Sequence, residues 1–343
     1  MKAVNRPSYD TKRTNLWDVI PLSGPYSYYL EPTRMCNLKC FYCIHATRGI
    51  AGGLLEQQGI PLKHMDMDLY DKIVNDILEF PEQPKRITFS GLGEPTMNPR
   101  LGEMARKLRS AGYTERIDVI TNALLLTPEL SDELVNSGIS RIMISVQGLT
   151  SEKYKEIAGV AVDIEKYVEN IRYLYEHKKD TQVYIKIIDA NLKDDNEREE
   201  FFRMFGNICD TISVEHLIVL EKQTKDTLDD VVDKSLNFSG EEVEYRDVCA
   251  KLFYFTQINI EGNTYPCGIP GMPPKFSLGN VKEDSLVNIW NGKAHNRLML
   301  STLRDGYKAF CGDCEIVTCM NVPEENLDPH AEELLKRLEN LNV

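Results

Sequence analysis

Three cysteines near the start of the chain, Cys36, Cys40 and Cys43, stand at CxxxCxxC spacing, with Tyr42 immediately before the third. Three thiolates on one short loop can ligate three irons of a four-iron cubane. Iron–sulfur clusters ordinarily take four cysteines. A three-cysteine loop therefore leaves one iron open, and an open coordination position is where a metal does substrate chemistry. Zinc is the competing reading, since paired CxxC or Cys/His sets are its usual ligands and His45 lies close by as a candidate fourth. The loop's place argues for the open cluster. It follows the first predicted strand, at the carboxyl end of a would-be barrel, where active sites form.

A second group sits at the other end of the chain: Cys249, Cys267, Cys311, Cys314 and Cys319. Cys249 and Cys267 bracket a predicted hairpin and could meet at its base, and the CxxC of Cys311 and Cys314 brings two more thiols. Four thiolates close a site with no open position. From spacing alone a four-cysteine zinc ribbon has the same arithmetic. The hairpin pair and the CxxC select Cys249, Cys267, Cys311 and Cys314 as ligands, which leaves Cys319 free near them or in place of one of the four. Cys209 precedes the sixth strand, away from any active face, and reads as a core thiol.

The elements that must position these groups alternate between strand and helix. Strands are expected at 26–32, 85–89, 117–121, 139–146, 183–188 and 212–220. Helices are expected where Leu69, Ile73 and Ile77 recur at helical spacing, over 101–111, after the Thr127-Pro128 start, around Tyr167, Ile171 and Leu174, and over 197–205. Alternating β and α units imply a parallel sheet with right-handed crossovers, and six of them imply an open, partial (β/α)6 barrel of TIM-like type. Residues 1–22 form an N-terminal extension and 23–220 the barrel. Residues 221–246 turn polar and acidic and read as a linker or a loop over the active site. Residues 247–325 hold a hairpin, with a turn at Glu261-Gly262-Asn263, two helices and the cysteines. Residues 326–343 form a terminal helix.

Composition narrows the rest. The chain has 343 residues and a formal net charge of −13. No long Lys/Arg stripe is present to displace counterions, so nucleic acid is not the expected partner. No signal-peptide run or bilayer-length apolar stretch occurs, which makes a membrane partner unexpected and the cytoplasm the expected location. In that compartment clustered thiols point to metal rather than disulfides.

The cysteine loop resembles that of the radical S-adenosylmethionine (SAM) superfamily, and further motifs support the resemblance. Ser90-Gly91-Leu92-Gly93-Glu94-Pro95, after the second strand, resembles the family's Gly-Gly-Glu-Pro motif, with Leu92 set between the glycines. Thr121-Asn122 follows the third strand and Ser145-Val146-Gln147-Gly148 the fourth. The resemblance implies that SAM chelates the open iron, that Tyr42 packs near its adenine, and that Gly91, Gly93 and Glu94 suit its ammonium. It places Asn122, Ser145 and Gln147 along its ribose and carboxylate, although the family often has Asp where Gln147 stands. Lys186, pointing inward from the fifth strand, would meet the SAM carboxylate, substrate or a structural ion-pair partner. The C-terminal cysteines resemble a Twitch/SPASM-like auxiliary-cluster domain, implying two [4Fe–4S] clusters in all.

The implied chemistry is reductive cleavage of SAM by a flavodoxin- or ferredoxin-type reductant, then hydrogen abstraction from substrate. The outcome is dehydrogenation, epimerisation with Cys319 as hydrogen donor, or coupling within a ribosomal peptide. A small carbohydrate- or aminocyclitol-like substrate is preferred, because only 35 residues precede Cys36, too few for a leader-binding domain. A non-catalytic zinc protein is the alternative from another class.

Overall fold

The computed structural model describes residues 1–7, 13–218, 228, 232–269, 272, 274–312, 314 and 316–341. Part of the expected 221–246 linker therefore lies outside the described residues. Ten strands are described: β1 (Val4–Asn5), β2 (Ser27–Leu30), β3 (Arg86–Phe89), β4 (Arg116–Thr121), β5 (Arg141–Val146), β6 (Gln182–Ile188), β7 (Thr211–Glu215), β8 (Phe255–Ile258), β9 (Asn263–Tyr265) and β10 (Gly279–Asn280). They form one sheet in the order β1-β7-β6-β5-β4-β3-β2-β8-β9-β10.

From β2 to β7 each strand pairs in parallel with the next, as βαβ units require. These are the six expected strands, the last described as Thr211–Glu215 with 219 and 220 of its expected span outside the described residues, and the sheet stays open. The C-terminal hairpin does not make a sheet of its own. β8 joins β2 in parallel register, with Tyr28 opposite Thr256 and Leu30 opposite Ile258. The hairpin then continues antiparallel through β9 and β10.

Side chains alternate across a strand, and the two faces of this sheet differ in chemistry. Ile87, Phe89, Val119, Ile142, Ile144 and Ile185 point outward into the main core. That core is closed by α1 (Met67–Leu78), α2 (Leu101–Ser110), α3 (Pro128–Asn136), α4 (Ser151–Ala158), α5 (Ile164–His177) and α6 (Asp195–Phe205). The opposite face carries Arg86, Arg116, Tyr184, Lys186 and Glu215, which line a cavity of about 530 Å³. A parallel sheet buried only for packing is apolar on both faces; a polar inner face marks space kept for something other than core.

Local signals explain the helices. Asp66 caps α1, its side chain accepting from the Asp68 and Leu69 amides at 2.9 and 3.3 Å. Thr127 caps α3 ahead of Pro128. α4 is not among the expected helices; Thr150 caps it and Gly159, at φ 75°, ends it. Asp66→Ala should lower stability by about 1 kcal/mol, read as a shifted denaturant midpoint at unchanged slope; an unchanged midpoint would show that packing alone holds α1.

A second, smaller core joins the chain ends. Leu16 and Ile20 pack with Leu252, Phe253, Leu334 and Leu338, so the terminal helix Ala331–Leu341 docks by the apolar face its leucine spacing predicts. Among the described residues no helix is long and apolar enough to cross a membrane.

Candidate active site

The cysteine loop leaves the end of β2 and is held by its own backbone. The Cys43 amide donates to the Cys40 carbonyl at 3.0 Å. The Leu38 amide points at Cys36 Sγ at 3.5 Å, and Arg48 donates to the Cys36 carbonyl. The thiols lie in one another's field. Burial pushes Cys40 up to about 12, and Cys36 adds to the rise; Cys36 is also raised by burial, while Arg48 draws it down. Buried neighbouring thiols that resist ionisation are a poor resting arrangement for free cysteines. They suit a cationic centre that takes all of them as thiolates, releasing protons on binding.

His45 does not complete a zinc set here. Its Nε2 donates to the Leu92 carbonyl at 2.9 Å and its Nδ1 faces Arg48 at 3.3 Å. Burial brings its pKa down to about 4, so the neutral ring is a strut between the cysteine loop and the glycine turn. The donor set of this loop is three thiols, which fits a cluster with an open iron.

The glycine turn after β3 is shaped by the cysteine loop. A Cβ on Gly93 would lie 2.3 Å from the Thr33 carbonyl oxygen and 2.6 Å from that of Met35, while one on Gly91, at φ 154°, would meet Glu31 Cγ at 2.7 Å. The Glu94 amide donates to the Met35 carbonyl at 2.8 Å. Glu94 is buried; its Oε1 accepts from Thr96 and Thr121 hydroxyls at 2.7 and 2.6 Å and its Oε2 from the Asn122 amide at 2.7 Å. Burial raises its pKa and these donors oppose the rise. Glu94 thus fastens the glycine turn to the end of β4.

The other expected SAM contacts gather on the same rim. Asn122 Nδ2 donates to Asn37 Oδ1 within the cysteine loop at 2.7 Å. Tyr42 donates to Gln147 Oε1, and Gln147 Nε2 donates to the Ser145 carbonyl at 3.1 Å. Gln147 therefore orients the aromatic ring that precedes Cys43. Lys186 lies deeper. Its Nζ is 2.6 Å from Glu215 Oε2, and Tyr184 donates to Glu215 Oε1 at 2.6 Å. Glu215 thus gives Lys186 a structural ion-pair partner.

Sequence reasoning missed Glu31. Its carboxylate, 1% exposed, holds Arg34 Nε at 2.8 Å, the Leu92 amide at 2.9 Å and the Ile260 amide at 3.2 Å. It joins the cysteine loop, the glycine turn and the hairpin. A lone carboxylate at the end of an apolar strand is the signal that could have found it.

The C-terminal thiols influence one another. Burial pushes Cys249 up to about 12, with Cys314 and Cys311 adding to it. Cys267 is raised by burial, then by Cys249 and Cys314. Cys319 is raised to about 11 by burial, with Lys251 opposing and Cys314 adding less; its Sγ donates to the Ile316 carbonyl at 3.0 Å. Cys249 thus lies in the field of Cys311 and Cys314, and Cys267 in that of Cys249 and Cys314, although among the described residues no three of these side chains are close enough together to hold a single metal ion. Cys209, fully buried, donates to the Phe205 carbonyl at 3.3 Å.

Comparison with known proteins agrees with this geometry. The radical SAM superfamily matches residues 30–205, and an iron–sulfur cluster-binding domain, SPASM, matches residues 249–315, a span that ends before Cys319. A tungsten-containing aldehyde ferredoxin oxidoreductase cofactor-modifying protein from Pyrococcus furiosus is 28% identical, over 84% of this chain and 86% of its own length. An AdoMet-dependent heme synthase from Methanosarcina barkeri is 22% identical, over 83% and 87%. Among solved structures, SuiB of Streptococcus suis bound to SAM superposes with a TM-score of 0.59 at 16% identity, over 83% of this chain and 70% of that one. Native anSMEcpe with bound AdoMet gives 0.55 at 16%, over 92% and 98%. These likenesses place the fold, and the two matched domains imply SAM and [4Fe–4S] clusters as cofactors. The chain belongs to the radical SAM superfamily and carries a C-terminal SPASM domain.

Proposed function

We propose that the protein oxidises a small, oxygen-rich substrate held on the inner face of the sheet, with Cys36, Cys40 and Cys43 holding the SAM-binding cluster and Cys249, Cys267, Cys311 and Cys314 an auxiliary one. The observation that carries this is the 530 Å³ cavity, whose wall runs from Tyr184, Lys186 and Glu215 to Lys251, Tyr254 and Glu325. The first three residues sit on barrel strands and the last three adjoin the C-terminal thiols. With those two clusters and SAM in place, and one electron from a flavodoxin- or ferredoxin-type donor, the cofactor would supply the hydrogen-abstracting chemistry.

The chain's own residues do the rest. The Lys186–Glu215 pair and Tyr184 seat substrate hydroxyls. Glu215, with Tyr184 and Lys186 on its two oxygens, takes the hydroxyl proton as the carbon is oxidised. The second electron would go to the auxiliary cluster that Cys249, Cys267, Cys311 and Cys314 would hold. The balance is one CH–OH converted to C=O, with a hydrogen atom, a proton and an electron removed. Oxidation is preferred to epimerisation because Met320, and not Cys319, lines the cavity while the Cys319 thiol faces Ile316. The Pyrococcus relative, named for modifying a cofactor, adds support for a small-molecule substrate.

A second reading, peptide maturation, draws on fold neighbours captured with peptides, SuiB with SuiA and anSMEcpe with Cp18Cys. One assay separates the two. Reconstituted protein with SAM and reductant is offered a panel of deuterated polyols and a panel of peptides. The expected result is a polyol product three mass units lighter than its carbon-deuterated substrate, one 5′-deoxyadenosine per product, and deuterium in that 5′-deoxyadenosine. Glu215→Gln should lower product formation by about 10²-fold or more, the usual scale for a lost acid–base group. Turnover of a peptide with no polyol product would overturn the proposal.

A further inference from the structure

A second cavity, of about 460 Å³, opens on the same face beside the glycine turn, and it is separate from the one assigned to oxidation. Glu31, Arg34, Leu92, Gln257, Glu261 and Tyr265 line it. Gln257 is the register partner of Tyr29, and Tyr29 lines the first cavity, so the two spaces meet at adjacent strands of one ladder.

Two observations define what the second cavity accepts. Gln257 is 3% exposed, and its Oε1 has no hydrogen-bond partner among the described residues. A buried acceptor left open is uncommon, and it calls for a ligand that donates. The second observation is charge. Arg34, itself buried, is held by Glu31 at 2.8 Å and by Glu261 at 3.2 Å. Two carboxylates facing one guanidinium leave the wall one negative charge in excess. Arg34 is already committed to both of them, so an anionic ligand would meet net repulsion. The neighbouring Asn259 cannot serve as the acceptor in place of Gln257, because its Oδ1 takes the Glu261 and Asn263 amides at 2.9 and 3.0 Å.

We infer that the cavity lined by Glu31, Arg34, Gln257, Glu261 and Tyr265 is a subsite for a cationic hydrogen donor, an alkylammonium group, on the substrate. The ammonium donates to Gln257 Oε1 and is balanced by the excess carboxylate charge. Calling its bearer the substrate rests on the oxidation reading above; the recognition of an ammonium does not. The subsite would grip one end of the molecule while the carbon to be oxidised lies toward Lys186 and Glu215.

The test is binding to the reconstituted holoenzyme with SAM, followed by ligand-observed NMR, using glucosamine and glucose as probes that differ by one ammonium. Glucosamine should bind at least about tenfold more tightly, the scale of one charge-assisted contact. Gln257→Leu should bring the two probes to near equality. So should Glu261→Gln, at a position 40% exposed where folding is not at stake. Equal binding of both probes by the parent protein would overturn the inference. So would a preference that survives both variants, or one that vanishes only in Glu215→Gln and thereby puts the ammonium in the first cavity. Should no polyol be oxidised yet the glucosamine preference follow Gln257 and Glu261, the oxidation reading fails and the subsite stands.

Discussion

Cys40→Ala is expected to abolish 5′-deoxyadenosine formation and to lower the iron of reconstituted protein from about eight to about four per chain, four irons being one cluster. Cys40 is buried and shares the field of Cys36, while Tyr42 and the Cys43 amide both close on its segment of the loop. A cubane held by two thiols instead of three has lost both a ligand and the loop's geometry. The EPR spectrum, then that of the auxiliary cluster alone, should no longer change on addition of SAM. Cys209→Ala is the control, since that thiol is fully buried and bonded to a helix carbonyl; it should keep eight irons and full cleavage. Retained cleavage in Cys40→Ala would show that the open iron is held elsewhere. Two zinc ions and no iron in the parent protein would overturn the cluster assignment altogether.

Gly93→Ala is expected to weaken SAM binding by about tenfold or more and to cost about 1–3 kcal/mol of stability, the usual range for an over-packed site. The added methyl would sit 2.3 and 2.6 Å from two backbone oxygens of the cysteine loop. Neither can swing aside as the end of a side chain could, so the whole 33–35 segment must shift. The same shift strains the Glu94–Met35 hydrogen bond and through Glu94 disturbs Asn122. The two effects are read separately, as a lower Tm and as a larger Kd for SAM. A loss of stability with unchanged SAM affinity would confine Gly93 to packing. No change in either would mean that the two loops are not in contact in solution.

Much of this site was legible before any coordinates. The CxxxCxxC spacing, the glycine turn and the alternating βα pattern are local signals, each within a few residues, and they found both the cysteine loop and the six parallel strands. What stayed hidden was set by contacts between distant segments. Gly93 reads as room for a ligand, yet the backbone nearest to it is that of Thr33 and Met35. Lys186 can be put on the inner face from its strand, but its ion-pair partner Glu215 is set by the pairing of β6 with β7. Glu31 looks like the end of a strand, and its bonds to Leu92 and Ile260 lie 61 and 229 residues away. The polar inner face was foreshadowed only by Lys186, because Arg86, Arg116 and Tyr184 each look unremarkable until strand register puts them on one side of the sheet. The hairpin was found from its turn, but nothing local says that β8 will lie parallel to β2.

That parallel pairing bears on how current would flow through the molecule. β2 feeds directly into the loop of Cys36, Cys40 and Cys43, and β8 stands between Cys249 and Cys267. The span that leads into the cysteine loop and the span between Cys249 and Cys267 are therefore rungs of one hydrogen-bonded lattice, pinned again by Glu31 on the Ile260 amide. Swinging one centre toward or away from the other would mean unzipping four matched residue pairs. Clusters held on those spans would have their tunnelling gap built in when the chain folds, not reset at each turnover.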